Sequence, residues 1–110
     1  MPYTSQMIYK EIAGLAVLAG TPQAIWTPTA GKKFKLAGFH VGVSAACSVL
    51  FKEGAANTSI NVRTGLLGIN GVVHADSLPG GIVSAAADNV LKIDVTANAT
   101  VHGFVWGSEE

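Results

Sequence analysis

The chain has 110 residues, 49% of them hydrophobic and only 13% charged, whereas a soluble domain usually carries about 25% charged residues. Seven basic and seven acidic side chains cancel, and Lys32, Lys33 and Lys35 are the one basic cluster, which excludes the basic stripe that nucleic-acid binding requires. The length sets one domain with one core, and the single cysteine, Cys47, leaves no intrachain disulfide.

Taken in chain order, residues 1–20 stand apart from the rest. Residues 1–10 lack the basic stretch and apolar run of a secretory leader, so none is expected. The apolar run over 12–19 is far short of the ~20 residues that cross a bilayer as a helix, so no membrane association is expected. Residues 9–19 are the one stretch long enough for a useful helix, but Gly14 and the β-branched residues suit an extended strand equally well. The segment therefore reads as an N-terminal arm or a first strand, ahead of a single domain over 21–110.

Residues 24–27, between Pro22 and Pro28, read as a short strand. In the next strand Phe34 and Leu36 share one parity while Phe39, Val41 and Val43 share the other. A slip of one residue requires a bulge, and Ala37-Gly38 is the place for it. A turn over 44–46 leads to a strand over 47–52, a loop over 52–58 and a short strand over 59–63. The glycine-rich remainder holds short strands at 72–75 and 82–84; residues 85–88 have helical propensity but are too few to nucleate a helix.

Residues 90–96 alternate cleanly: Leu91, Ile93 and Val95 on one face, Lys92, Asp94 and Thr96 on the other, as in a half-buried strand. Residues 100–106 carry apolar groups on both faces, which suits a central or interface strand. The link through Asn98 predicts a C-terminal hairpin. About eight short strands with turns every 8–12 residues predict an all-β fold, a jelly-roll-like β-sandwich.

Catalytic chemistry finds little support. Cys47 follows His40 by seven residues and sits in an apolar run, the setting of a buried thiol rather than a nucleophile. The spacings between His40, His74 and His102 match no compact zinc motif, although strands in a sheet can gather distant residues. Asp94 is read as facing solvent beside Lys92, and the other acids as turn or surface groups. The glycines of 65–71 read as turn formers, with no Lys-Ser or Lys-Thr pair to bind phosphate. The Asn57 and Asn98 glycosylation triplets read as chance matches. No enzyme activity, catalytic residue, metal or cofactor is therefore expected. Trp26 is assigned to the core; Tyr3, Tyr9, Phe104 and Trp106 are the candidate interface residues.

Three segments carry a resemblance: residues 25–36 (IWTPTAGKKFKL), residues 81–89 (GIVSAAADN) and the ending at 101–110 (VHGFVWGSEE). Over roughly 24–110 the chain resembles small virion structural proteins of tailed bacteriophages. That resemblance implies a jelly-roll β domain on the outside of a phage head or on the tail, and on the head a capsid decoration, or cement, subunit. Its implied partners are copies of itself, as a homotrimer, and the phage major capsid protein, with assembly in the host cytoplasm. It brings no catalytic residues. The disulfide-free composition agrees with a protein assembled inside a cell. A low, balanced charge favours association over solvation, so much of the surface is expected to be covered. The alternative is a carbohydrate- or receptor-binding β-module of a phage tail or appendage, using exposed aromatics such as Tyr3, Tyr9 and Trp106.

Overall fold

The computed structural model describes residues 7–75, 78 and 80–110. Among them nine strands form: β1 (Ile8–Val17), β2 (Gln23–Trp26), β3 (Phe34–Val43), β4 (Val49–Glu53), β5 (Thr58–Arg63), β6 (Val72–Ala75), β7 (Ile82–Val83), β8 (Leu91–Val95) and β9 (Ala99–Glu109). One antiparallel sheet runs β1-β9-β3-β6, with β7 also on β3; the other runs β2-β8-β4-β5. β6 and β7 follow one another along the same edge of β3, β6 on 39–42 and β7 on 35–36. With β7 set aside, the eight remaining strands have the two-sheet order of a jelly roll.

Period-two patterning puts one row of each central strand into the space between the sheets. Phe34, Leu36, Phe39, Val41 and Val43 of β3, with Val101 and Val105 of β9, are buried from one side; Phe51, Leu91, Ile93 and Val95 are buried from the other. Phe39 and Phe51 meet across the sandwich with ring centroids 4.9 Å apart. Trp26 is 1% exposed, packs on Phe34 and donates its indole N–H to Glu109 Oε2 at 3.0 Å. The parity slip in β3 is real: the β3–β9 register shifts between Leu36 and Gly38, leaving Ala37 as the extra residue.

Four sequence expectations need correction or refinement. The C-terminal hairpin does not form, because β8 pairs with β2 and β4 while β9 pairs with β1 and β3. The link between them crosses from one sheet to the other. Thr96 is held by Ser48, whose N–H donates to Thr96 Oγ1 while Thr96 N–H donates to the Ser48 carbonyl. Asn98 Oδ1 accepts from Ala19 N–H. Strand length is the second: β1, β3 and β9 have ten, ten and eleven residues. Third, Asp94 does lie on the outer side of its sheet but is only 4% exposed. Lys52 pairs with it at 3.0 Å, and its Oδ1 accepts from Gly20 and Val95 N–H. Fourth, Glu53 is buried as well and holds the loop before β8, accepting from Ala85 N–H and Asn89 Nδ2. Sequence alternation reports the side of a sheet, not whether a loop then covers that side. Residues 8–17 are extended as β1, paired along β9 with a bulge between Ile12 and Leu15; residues 1–6, including Tyr3, lie outside the described residues.

Candidate functional site

The outer face of the β1-β9-β3-β6 sheet collects the exposed aromatic groups. In β9 the inward row is Val101, Gly103, Val105 and Gly107, so His102, Phe104 and Trp106 face away from the core. Neighbouring strands extend this row sideways, because residues opposite each other in a ladder share a face. One lateral row reads Glu11, Phe104, His40, His74; the next reads Tyr9, Trp106, Gly38; a third brings His102, Gly42 and Val72 together. Phe104 and Trp106 are half-buried, whereas Tyr9 is 66% exposed.

The rings form a connected cluster. Tyr9 lies 6.3 Å from Phe104 and 6.4 Å from Trp106 between centroids, and Phe104 and Trp106 are 5.5 Å apart. His40 stacks on Phe104 at 5.7 Å with planes 19° apart, and His74 packs against Trp106 at 5.8 Å. Nδ1 of His40 and Nδ1 of His74 are 2.8 Å apart, a hydrogen bond in which one ring donates and the other accepts. Two glycines make room for this arrangement. A Cβ on Gly38 would stand 2.3 Å from Cζ2 of Trp106 and 2.5 Å from the Ala75 carbonyl oxygen, so the bare backbone there is the floor on which the indole lies. Gly103, with φ 133°, brings β9 so close to β3 that a Cβ would overlap the His40 carbonyl.

The structure thus brings three of the four expected interface residues, Tyr9, Phe104 and Trp106, onto one face. The residues that sequence reasoning missed there are His40 and His74. They are separated by thirty-four positions and become neighbours only through the β3–β6 ladder. His102 is on the same face, but its ring leans the other way: a Cβ at Gly14 in β1 would sit 3.4 Å from its Cε1. Leu66 and Ile69 were also missed. Both are more than 70% exposed on the glycine-rich connection before β6, ahead of the exposed Val72; the visible signal was two large apolar residues inside a turn segment.

The groups considered for catalysis are dispersed. Cys47 is fully buried, and that burial pushes its thiol pKa up. It lies beyond the crossing from β3 into the other sheet, its backbone bridged to Leu67, so it and His40 are not strand neighbours. The buried carboxylates Glu53 and Asp94 are taken up by loop amides and Lys52, as above. Glu109 is held below the usual glutamate range, chiefly by the Trp26 indole N–H and further by hydrogen bonds from Thr29. Among the described residues no three His, Cys, Asp or Glu side chains converge on a point. What the site offers chemically is a flat, aromatic, weakly charged surface with one imidazole pair in it. No protein-family model, curated protein or solved structure matches this chain.

Proposed function

We propose that the chain is a structural assembly subunit: a jelly-roll protein that associates with copies of itself through the aromatic sheet face and, in a phage head, decorates and reinforces the shell of major capsid protein. The observation that carries this reading is the Tyr9–Phe104–Trp106 cluster on the outer face of the sheet, with Tyr9 exposed and the other two rings half-buried beside it. Scattered apolar side chains on a surface are ordinary, but a contiguous patch marks a contact site.

Its size says how it works. Three strand spacings by four residues span about 14 Å by 14 Å, roughly 200 Å² between Cα positions. A stable interface buries about 800 Å² per partner, so the cluster is the anchoring centre of a contact, with Val72 and polar strand ends around it. The occupant is a second copy of the chain. Zero net charge and 13% charged residues leave little repulsion between identical subunits. Repetition around a capsid then multiplies modest contacts through avidity.

The test is light scattering after size exclusion, followed by co-sedimentation with capsids. The wild-type chain should run as an oligomer and co-sediment. Tyr9→Asp, at a 66% exposed position, should run as a monomer with an unchanged fold. A wild-type chain that is monomeric and ignores capsids overturns the reading. The platform of Tyr9 and Trp106, with planes 32° apart beside Glu11, also favours the sugar- or receptor-binding alternative. Saturable glycan binding by a monomer would establish that reading instead.

A further inference from the structure

We infer that the His40–His74 hydrogen bond is an acid-released clasp on the edge strand β6: it survives the first proton added to the pair and opens with the second. The inference does not depend on the assembly role proposed above.

The two rings meet head-on. Their Nδ1 atoms are 2.8 Å apart and their centroids 5.0 Å, so each Nδ1 points at the other and a single proton lies between them. Val43 N–H donates to the Gly71 carbonyl, and alternation along the β3–β6 ladder then makes 41/73 and 39/75 the backbone-bonded pairs. His40 and His74 form the pair between these two, where no backbone bond joins the residues and side chains stand closest. The clasp therefore adds a bond where the ladder has none. It acts on a weakly held element: β6 is four residues long and, among the described residues, pairs with β3 alone.

Counting protons defines the switch. With both rings neutral, one Nδ1–H donates to the lone pair of the other Nδ1. With one ring charged, its Nδ1–H still donates to the neutral partner, now with charge assistance. With both charged, each Nδ1 carries a hydrogen, no acceptor remains, and two like charges face each other across the ladder. Phe104 and Trp106 of β9 lie against the rings. The other ionisable groups on this side of the sheet, among the described residues, are Tyr9 and Glu11 of β1, His102 of β9 and Lys35 of β3. Glu11 is in the same lateral row, roughly 10 Å from His40, and the ring of His102 leans towards Gly14. In sequence the nearest acid is Asp76, and His74 has a contact beyond those named. A nearby negative charge moves the second protonation to higher pH, but it restores no acceptor to the pair. Opening the clasp puts two positive charges on the aromatic face and loosens the strand whose Ala75 carbonyl borders the Gly38 floor under Trp106.

The wild-type chain is titrated from pH 8 to pH 4.5, the ordinary glutamate value below which Glu109 takes up its proton. Nitrogen-15 imidazole NMR reads the rings. At pH 8 one of the pair should be the Nδ1–H tautomer and the other Nε2–H; at pH 4.5 both should carry two protons. Amide exchange reads the strand: Val73 and Ala75 should exchange about 10-fold faster at the acid end once the intrinsic rate is divided out. His40→Gln and His74→Gln each leave one ring, whose charged form can still donate to the amide oxygen, so the acid step in exchange should vanish; His102→Gln should retain it. Tyr9→Asp, with no second copy on the face, should show the step too, which separates the clasp from dissociation of an oligomer. An acid step at Val73 and Ala75 that both glutamine variants abolish supports the inference. Protection that stays level from pH 8 to pH 4.5, a step that survives in both variants, or a wild-type pair with two Nε2–H tautomers at pH 8 overturns it.

Discussion

Gly38→Ala is the sharpest probe of the aromatic face. Gly38 has no left-handed φ, so an alanine there meets no backbone strain and its whole effect is spatial. The new methyl would stand 2.3 Å from Trp106 Cζ2, 2.6 Å from Cε2 and 2.5 Å from the Ala75 carbonyl oxygen. The indole can tilt away, but the carbonyl belongs to β6 and moves only with the strand. Forced overpacking of this kind costs about 1–3 kcal/mol. For a domain of this size that is about 4 °C per kcal/mol, so the melting midpoint should fall by about 4–12 °C. Urea unfolding and thermal melts read the loss, and tryptophan emission should shift as Trp106 is lifted from its floor. In a Trp106→Ala background the penalty should shrink but not vanish, since the Ala75 contact remains; the difference isolates the indole's share. Gly65→Ala is the control: a Cβ there meets nothing within 4 Å, and its stability should stay within about 0.5 kcal/mol of wild type. A Gly38→Ala protein with wild-type stability and emission would refute the placement of Trp106.

Further outcomes follow from the core and its buried polar groups. Phe51→Ala removes the ring that meets Phe39 across the sandwich and should cost about 3–5 kcal/mol by chemical denaturation. Glu53→Ala strands the Ala85 N–H and the Asn89 amide; a loss of about 1–3 kcal/mol is expected, with faster amide exchange at Ala85. Glu109 has its pKa lowered by folding, so its contribution is present above the unfolded-state glutamate pKa and is lost as pH falls through the lower folded value. Acid titration of stability should therefore show a carboxylate step at and below that range, and Glu109→Gln should flatten it. Cys47, fully buried with a raised pKa, should resist thiol reagents in the native protein and react at once in denaturant.

Part of this was legible in the residues alone. The alternation at Leu91, Ile93 and Val95 and the slipped parity between Leu36 and Phe39 are local patterns, and a period of two reads out strands and bulges wherever one face is buried. The all-β class follows from the same local signals. Phe104 and Trp106 are apolar groups on the second face of an already apolar strand, and that excess marks them in the sequence itself.

Pairing was not legible, because in this jelly roll most neighbours in sequence are sent to opposite sheets; β4 and β5 are the consecutive strands that pair with one another. β8 and β9 read as a hairpin since only the three residues from 96 to 98 separate them, yet the chain crosses the sandwich there. Asp94 kept its predicted side but lost its solvent to Lys52 and the Gly20 backbone, partners 42 and 74 positions away. The composition and periodicity of this chain determine that it folds as sheets with a greasy interior and an apolar surplus. Only the long-range ladders decide that Tyr9, Phe104 and Trp106 share one face with His40 and His74, because hydrogen bonds between distant strands carry no mark in the local sequence.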